Sequence, residues 1–240
     1  MTEAVKIEIN PDHDWDALAQ FLQEHRTLQV PDFFTEKSAE YLFKLLVENK
    51  DWHLAYNDGD NYYESSAEQL SALSPEQRQG FMNNIYARAR HQFQYVFNQY
   101  FITQAIANNE QPGHPMHMME GFMNSKEMLD LMRKLSGVPE IKKADTYAST
   151  YLPGHFLTAH DDNHATHDRV AAYVFSMTKG WNTDWGGHLA FYDDKGNVTE
   201  SFVPAFNTLN LFLTPQLHAV QFVSPFAGVK RLSYLGWLHR

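Results

Sequence analysis

The chain has 240 residues, 43% of them hydrophobic, and a formal net charge of −10. That composition predicts a packed globular fold, and the absence of cysteine excludes disulfides, thiolate metal sites and cysteine nucleophiles. An acidic balance without clustered Lys and Arg disfavours direct nucleic-acid binding and anionic membranes, and suits a basic peptide or protein better. No apolar run approaches the roughly 18 residues needed to cross a bilayer. The opening MTEAVKIEIN also lacks a basic-then-apolar leader, so a cytoplasmic location is expected.

In chain order, Asn10-Pro11 reads as a helix start, with Trp15, Leu18, Ala19 and Leu22 on one face. Thr27-Leu28-Gln29-Val30 predicts a short strand ended by Pro31. A helix from about Thr35 carries Tyr41, Leu42, Leu45 and Leu46. A hairpin is expected over Trp52 to Glu64, turning at Asn57-Asp58-Gly59-Asp60. Ser74-Pro75-Glu76-Gln77 is a capping box with Pro at the first helical position, and the helix it opens is expected to run to about Ala107. Phe81, Ile85, Phe93, Phe97 and Phe101 recur at helical spacing along it and read as core packing. Gln111 to Glu120 reads as a loop, and Ser125 to Ser136 as an amphipathic helix stopped by Gly137.

After Lys143 the texture becomes β-rich. Short runs at Thr146–Leu152, Phe156–Asp161, Val170–Met177, His188–Tyr192, Ser201–Val203, Thr208–Phe212, His218–Val223 and Arg231–Trp237 are separated by turn signals. Many short, evenly spaced strands predict a sandwich or jelly roll. The expected fold class is α+β: one domain over residues 1–240, in which a mainly helical 1–143 braces a catalytic β-core at 144–240.

Chemistry concentrates at the end of one predicted strand, in His155-Phe-Leu-Thr-Ala-His160-Asp-Asp162. Residues two apart in extended chain face the same side, so His160 and Asp162 can present an imidazole and a carboxylate to one ion. A third ligand must come from elsewhere, and His218 follows a strand and turn near the C-terminus. Two His and one carboxylate on one face of an octahedron leave open positions, an arrangement that suits Fe(II) with a bidentate co-substrate and O2. Arg231 lies thirteen residues after His218 and shares a strand face with Ser233. A buried guanidinium there needs an anionic partner. The distal carboxylate of 2-oxoglutarate supplies one, in a bidentate geometry that Lys does not reproduce, and Ser233 adds a hydroxyl.

These pieces together resemble the prolyl hydroxylase branch of the Fe(II)/2-oxoglutarate oxygenases, closest to the ribosomal-protein prolyl hydroxylase and translation-termination factor group. The matching features are Tyr151 nine residues before His160, the His160-Asp-Asp162 signature and Arg169 opening the next strand. Trp185-Gly-Gly-His-Leu-Ala-Phe-Tyr192, His218-Ala-Val and Arg231-Leu-Ser-Tyr-Leu-Gly-Trp237 complete the set. The resemblance implies a double-stranded β-helix of cupin-like jelly-roll type, with iron on His160, Asp162 and His218. It also implies 2-oxoglutarate on Arg231 helped by Tyr151, a protein or peptide substrate near Arg169 and Trp237, and ascorbate as an additional ligand. Succinate and CO2 are released as the substrate is hydroxylated. One departure stands in Tyr173-Val-Phe175-Ser-Met177, where a Tyr used for 2-oxoglutarate by some relatives reads Ser or Phe; Tyr151 is the better candidate.

Two rival readings remain open at this level. One keeps the chemistry but acts on a free amino acid or small metabolite; the other is a non-catalytic, cupin-like metal-binding protein, which expects Arg231 exposed or paired to a protein carboxylate. His155, His164 and His167 crowd the signature as alternative ligands, with His164 and His167 expected in a polar loop. His114 and His117 among Met116, Met118 and Met119 resemble a soft-metal cluster but read better as loop packing. Trp181 and Trp185 read as packing, and Asp161 as an acid facing away from the ligands. The hydroxylated carbon, the bound metal and the oligomeric state are not written in the sequence.

Overall fold

A computed structural model describes residues 6–59, 61–162 and 168–240. Helix α1 (Trp15–His25) starts later than the Asn10-Pro11 signal predicts. Asp14 wins the cap, its carboxylate accepting from the Asp16 and Ala17 amides, whereas Asn10 reaches across to the carbonyls of Asp32 and Phe33. Strand β1 (Thr27–Val30) and helix α2 (Glu36–Glu48) follow as expected, and α2 buries Leu42 and Leu46. β2 (His53–Asp58) and β3 (Asn61–Ser65) form the predicted hairpin; Asp60 in its turn lies outside the described residues. After α3 (Ala67–Ser71), helix α4 (Pro75–Ala89) begins at the predicted Ser74 capping box.

That helix stops at Arg90 and does not reach Ala107. Residues beyond it form strand β4 (Tyr95–Phe101) and a short helix α5 (Ile102–Ala107). Phe93, Phe97 and Phe101 are four apart, a spacing that helical and extended periods share. Tyr95 and Gln99 between them complete a period of two, and pairing of β4 with β2, β6 (Tyr147–Tyr151) and β7 (Phe156–His160) stabilises the extended form. The expected loop at Gln111 to Glu120 contains a 3-10 turn leading into α6 (Met118–Met123). Helix α7 (Lys126–Ser136) runs from its Ser125 cap to a left-handed Gly137.

The chain then lays down β5 (Lys143–Ala144), β6, β7, β8 (Arg169–Ser176), β9 (Leu189–Tyr192) and β10 (Val198–Phe202). β11 (Thr208–Leu213), β12 (His218–Val220) and β13 (Arg231–His239) complete it. Along the main path the order is β1-β11-β8-β13-β6-β4-β7-β12-β9-β10, and every neighbouring pair is antiparallel. Strands β6, β8, β11 and β13 make one half, and β7, β9, β10 and β12 the other. The chain crosses between halves after β6, β7, β8, β10, β11 and β12. That crossing pattern is a double-stranded β-helix, the jelly roll expected, with β4 joining the two halves at one edge.

The largest core packs α1, α2, α6 and α7 against the outer face of the β8–β11–β13 half, through Leu22, Leu42, Met119, Met132, Phe175 and Tyr234. This fixes the barrel from outside and leaves its interior for chemistry. β13 is held close to the chain before β6: a Cβ at Gly236 would stand 1.8 Å from the Asp145 carbonyl oxygen. Tyr173 donates its hydroxyl to that carbonyl at 2.8 Å and is part of this joint.

Candidate active site

Strands β7 and β12 pair antiparallel with His218 directly opposite His160. The two rings lie 4.2 Å apart between centroids. Asp162 follows the end of β7 and turns back on both. Its oxygens stand 3.4 Å from Nε2 of His160 and 3.4 Å from Nε2 of His218. The expected reason for this convergence, two residues alternating along an extended strand, is not the operative one: Asp162 has φ +60°, a left-handed turn that brings the carboxylate beneath the two imidazoles. One donor atom from each of the three side chains lies within 4.8 Å of the others, and among the described residues no other His, Asp or Glu group does this.

The tautomers are set by the backbone. Nδ1 of His160 is 3.0 Å from the Thr158 carbonyl and Nδ1 of His218 is 2.8 Å from the Gln216 carbonyl, so each Nδ1–H donates there and each Nε2 is left facing Asp162. Burial pushes the His218 imidazole down to about 4, helped by the neighbouring His160 and opposed by Asp162. Burial works against an ionised Asp162; the hydrogen bond from His160 and the charge of both imidazoles outweigh it and hold the carboxyl at about 2. With both Nδ1 atoms committed to backbone carbonyls, the site presents two imidazole Nε2 atoms and a carboxylate, the donor set for a divalent first-row metal.

Arg231 opens β13 and is 4% exposed. It lies in register with Tyr151 on β6, and its guanidinium stands 4.9 Å over the Tyr151 ring. One terminal nitrogen donates to the Ser233 hydroxyl at 3.2 Å, while Nε has no hydrogen-bond partner among the described residues. No carboxylate among the described residues pairs with it. Burial pushes its pKa down, the signature of a cation placed in an apolar interior without its counter-ion. Ser149, opposite Ser233 in register, is also buried with an unpartnered hydroxyl. It is a site residue the sequence reading missed; the alternation Tyr147-x-Ser149-x-Tyr151 was its signal.

A cavity of about 550 Å³ opens beside His160 and Asp162. Arg169 and Trp237 both line it. The Arg169 guanidinium stacks 3.7 Å over Trp237 and lies 3.9 Å from an Asp162 oxygen. The wall opposite is Phe93 with Tyr95, Phe97, Gln99 and Phe101 of β4; Phe93, Phe97 and Phe101, expected to pack a helical core, instead face this cavity. Phe97 stacks on Tyr151 and Phe101 on Tyr147, so the row is built from cross-strand ring pairs. Tyr62 from the β2–β3 hairpin joins the wall and accepts a 2.6 Å hydrogen bond from Gln99.

The other histidines fall elsewhere. His114 stands 3.5 Å from Asp51 and His117 is 2.8 Å from the Tyr100 hydroxyl, with Met116 and Met119 buried in the core, so that cluster is loop packing. His155 is buried away from the metal-competent group, and His164 and His167 lie outside the described residues. Trp181 and Trp185 pack edge-on against each other near Gly187 and Gly228. Asp161 is exposed, as expected.

Residues 146–239 match the 2OG-Fe(II) oxygenase superfamily. The matched segment carries His160, Asp162, His218, Arg231 and Ser149, but not the β4 row. Among solved structures the chain is similar to a Pseudomonas putida prolyl-4-hydroxylase, with 18% identity, TM-score 0.60, and 94% of this chain and 98% of that one covered. It is also similar to a Trichoplax adhaerens prolyl hydroxylase in complex with a hypoxia inducible factor oxygen degradation domain peptide fragment, at 16% identity and TM-score 0.60, covering 94% and 88%. A 2OG-Fe(II) oxygenase family oxidoreductase from Burkholderia pseudomallei aligns at 12% identity and TM-score 0.60, covering 98% and 95%. At such identities these likenesses establish the shared jelly-roll fold. No curated protein matches the chain.

Proposed function

We propose that the protein is an Fe(II)- and 2-oxoglutarate-dependent dioxygenase that hydroxylates a C–H bond, most readily that of a prolyl residue in a protein. The carrying observation is the buried Arg231 guanidinium without a carboxylate partner among the described residues, on the strand that follows a His160–Asp162–His218 group of metal-competent geometry. A non-catalytic metal-binding protein has no use for that cation, and expects it exposed or paired.

When bound, iron supplies O2 activation coupled to oxidative decarboxylation of 2-oxoglutarate to succinate and CO2. The chain's own residues supply position. His160 and His218 hold their Nε2 atoms forward through Nδ1 bonds to Thr158 and Gln216. Asp162 adds the carboxylate, which Arg169 steadies from 3.9 Å. Arg231 takes the distal carboxylate of 2-oxoglutarate, with the Ser233 and Ser149 hydroxyls beside it and the Tyr151 ring fixing the guanidinium plane. Trp237 and the aromatic row keep bulk water from the substrate carbon.

Three features support a polypeptide over a free amino acid. The cavity next to His160 has a volume of about 550 Å³ and a wall of aromatic rings, more than a single amino acid fills. The prolyl-hydroxylase resemblance supports proline as the target and a ribosomal or translation component as its bearer. The net charge of −10 suits a basic partner of that kind. The same reading places the enzyme in the cytoplasm and admits ascorbate as an additional ligand; among the described residues no helix is long and apolar enough to cross a membrane. The test is anaerobic loading with Fe(II) and 2-oxoglutarate, then O2 with candidate ribosomal proteins and free amino acids, followed by mass analysis. One added oxygen on a prolyl residue is expected. Oxygen on free amino acids alone would move the assignment to small metabolites.

A further inference from the structure

Gln94 is fully buried, just before β4, between Phe93 and Tyr95 of the cavity wall. Two ladders end beside it. β2 and β4 pair from His53 opposite Gln99 to Tyr56 opposite Val96, and β4 and β7 pair through Tyr95 opposite Leu157. The main chain of Gln94 adds one step to the second ladder. Its amide donates to the Thr158 hydroxyl at 2.9 Å, and its carbonyl accepts from the Thr158 amide at 3.0 Å.

Its side chain adds one step to the first. A carboxamide carries the same donor and acceptor as a peptide group, so it can stand in for one. Nε2 donates to the Asn57 carbonyl at 3.0 Å, while Oε1 accepts from the Asn57 amide at 3.3 Å and from the Tyr95 amide at 3.0 Å. A flipped carboxamide would set like against like at all three contacts, which fixes its orientation.

Both ends of this junction belong to the candidate active site. Asn57 stands opposite Tyr62 in the β2–β3 hairpin, and both line the cavity beside His160 and Asp162. Thr158 gives its carbonyl to Nδ1 of His160 at 3.0 Å. A continuous run of hydrogen bonds therefore leads from Asn57 through Gln94 and Thr158 to His160.

We propose that Gln94 is a positioning residue: it holds the hairpin side of the cavity to the strand that carries His160, so that filling the metal site firms the wall facing the substrate. The proposal rests on the reading of His160 as a metal ligand. With Nε2 engaged by an ion, the His160 ring cannot rotate away from the Thr158 carbonyl. The Thr158 peptide is then fixed, and with it the main chain of Gln94, whose carboxamide carries the constraint to Asn57. A run of contacts couples two places only if they respond together, and amide hydrogen exchange reads that response residue by residue.

The test measures exchange by NMR on the whole chain with and without Zn(II), a diamagnetic ion for the same donor set. In wild type, Zn(II) should slow exchange in β12 and should slow the Asn57 amide by about fivefold or more. Thr158→Val removes the hydroxyl that holds the Gln94 amide but leaves the Asn57–Gln94 contact in place. There the Asn57 response should fall toward onefold while that of β12 persists, and Thr158→Ser, which keeps the hydroxyl, should restore it. Gln94→Met should strip Asn57 of protection with or without Zn(II); if that variant fails to fold, the Thr158 pair still decides. A merely structural junction would lower Asn57 protection equally in both states and leave the Zn(II) ratio unchanged in Thr158→Val, which would overturn the proposal. So would a wild-type Asn57 amide indifferent to Zn(II) while β12 responds, or Asn57 protection that survives Gln94→Met. Zn(II) without effect on β12 as well would count against the metal site itself and take the proposal with it.

Discussion

The proposed chemistry turns on Arg231. Its guanidinium is buried with an unpartnered Nε, so its surroundings are complete only with an anion of matching shape. Arg231→Lys keeps a charge but loses the fork; 2-oxoglutarate affinity should fall about 10- to 100-fold by calorimetry with Mn(II) in place of iron. Metal affinity itself should not change, and a parallel loss of metal binding would assign Arg231 to the fold instead. His218→Ala removes a proposed ligand and should weaken Mn(II) binding by on the order of 100-fold or more. Arg231, His160 and His218 were legible in the sequence because their residue types have few other reasons to be buried at that spacing. Asp162 was legible as a residue but not as a geometry, since nothing in His-Asp-Asp announces the left-handed turn at φ +60°. Ser149 escaped because a buried serine has no chemical signature until its neighbours across the sheet are known.

At the scale of elements, the joint between β13 and the chain before β6 holds these two strands, which carry Arg231 and Tyr151, in register. Gly236 approaches the Asp145 carbonyl so closely that Gly236→Ala should destabilise the protein by about 3 kcal/mol in urea, through overpacking with no flexible neighbour to yield. A cost below about 1 kcal/mol would mean that β13 can shift. The same joint carries a 2.7 Å contact between His239 and the Asp145 carboxylate. Burial tends to raise the Asp145 carboxyl, but the His239 hydrogen bond and charge win and lower it. A carboxyl lowered in the folded state adds stability that is present above its unfolded pKa of about 3.9 and lost as pH falls through the lower folded value. Asp145→Asn should therefore cost about 1–2 kcal/mol at pH 7, shrinking toward zero below about pH 3; a constant difference across that range would contradict the ion pair. β4 shows why one element was misread. A row of Phe four residues apart fits helix and strand alike, and the preceding capping box favoured continuing the helix. The pairing partners that decided the matter, β2, β6 and β7, lie far off in sequence.

Over the whole molecule, the strands after Lys143 were legible because alternation and turn residues recur there. What sequence could not show is that the segment before it supplies β1 to the sheet and β4 to the cavity wall. The first half is therefore more than a brace: its strand β4 supplies the aromatic row that lines the cavity beside His160 and Asp162. The account's central claim is that metal and 2-oxoglutarate act together at one site inside this barrel. Succinate formation from 2-oxoglutarate by wild-type protein, with Fe(II) and O2 present, tests it most directly. The expected result is succinate in Fe(II)-dependent amounts, abolished by His218→Ala and by chelation, and restored in the chelated wild type when Fe(II) is returned. Succinate formed equally without Fe(II), or by His218→Ala at the wild-type rate, would contradict the account.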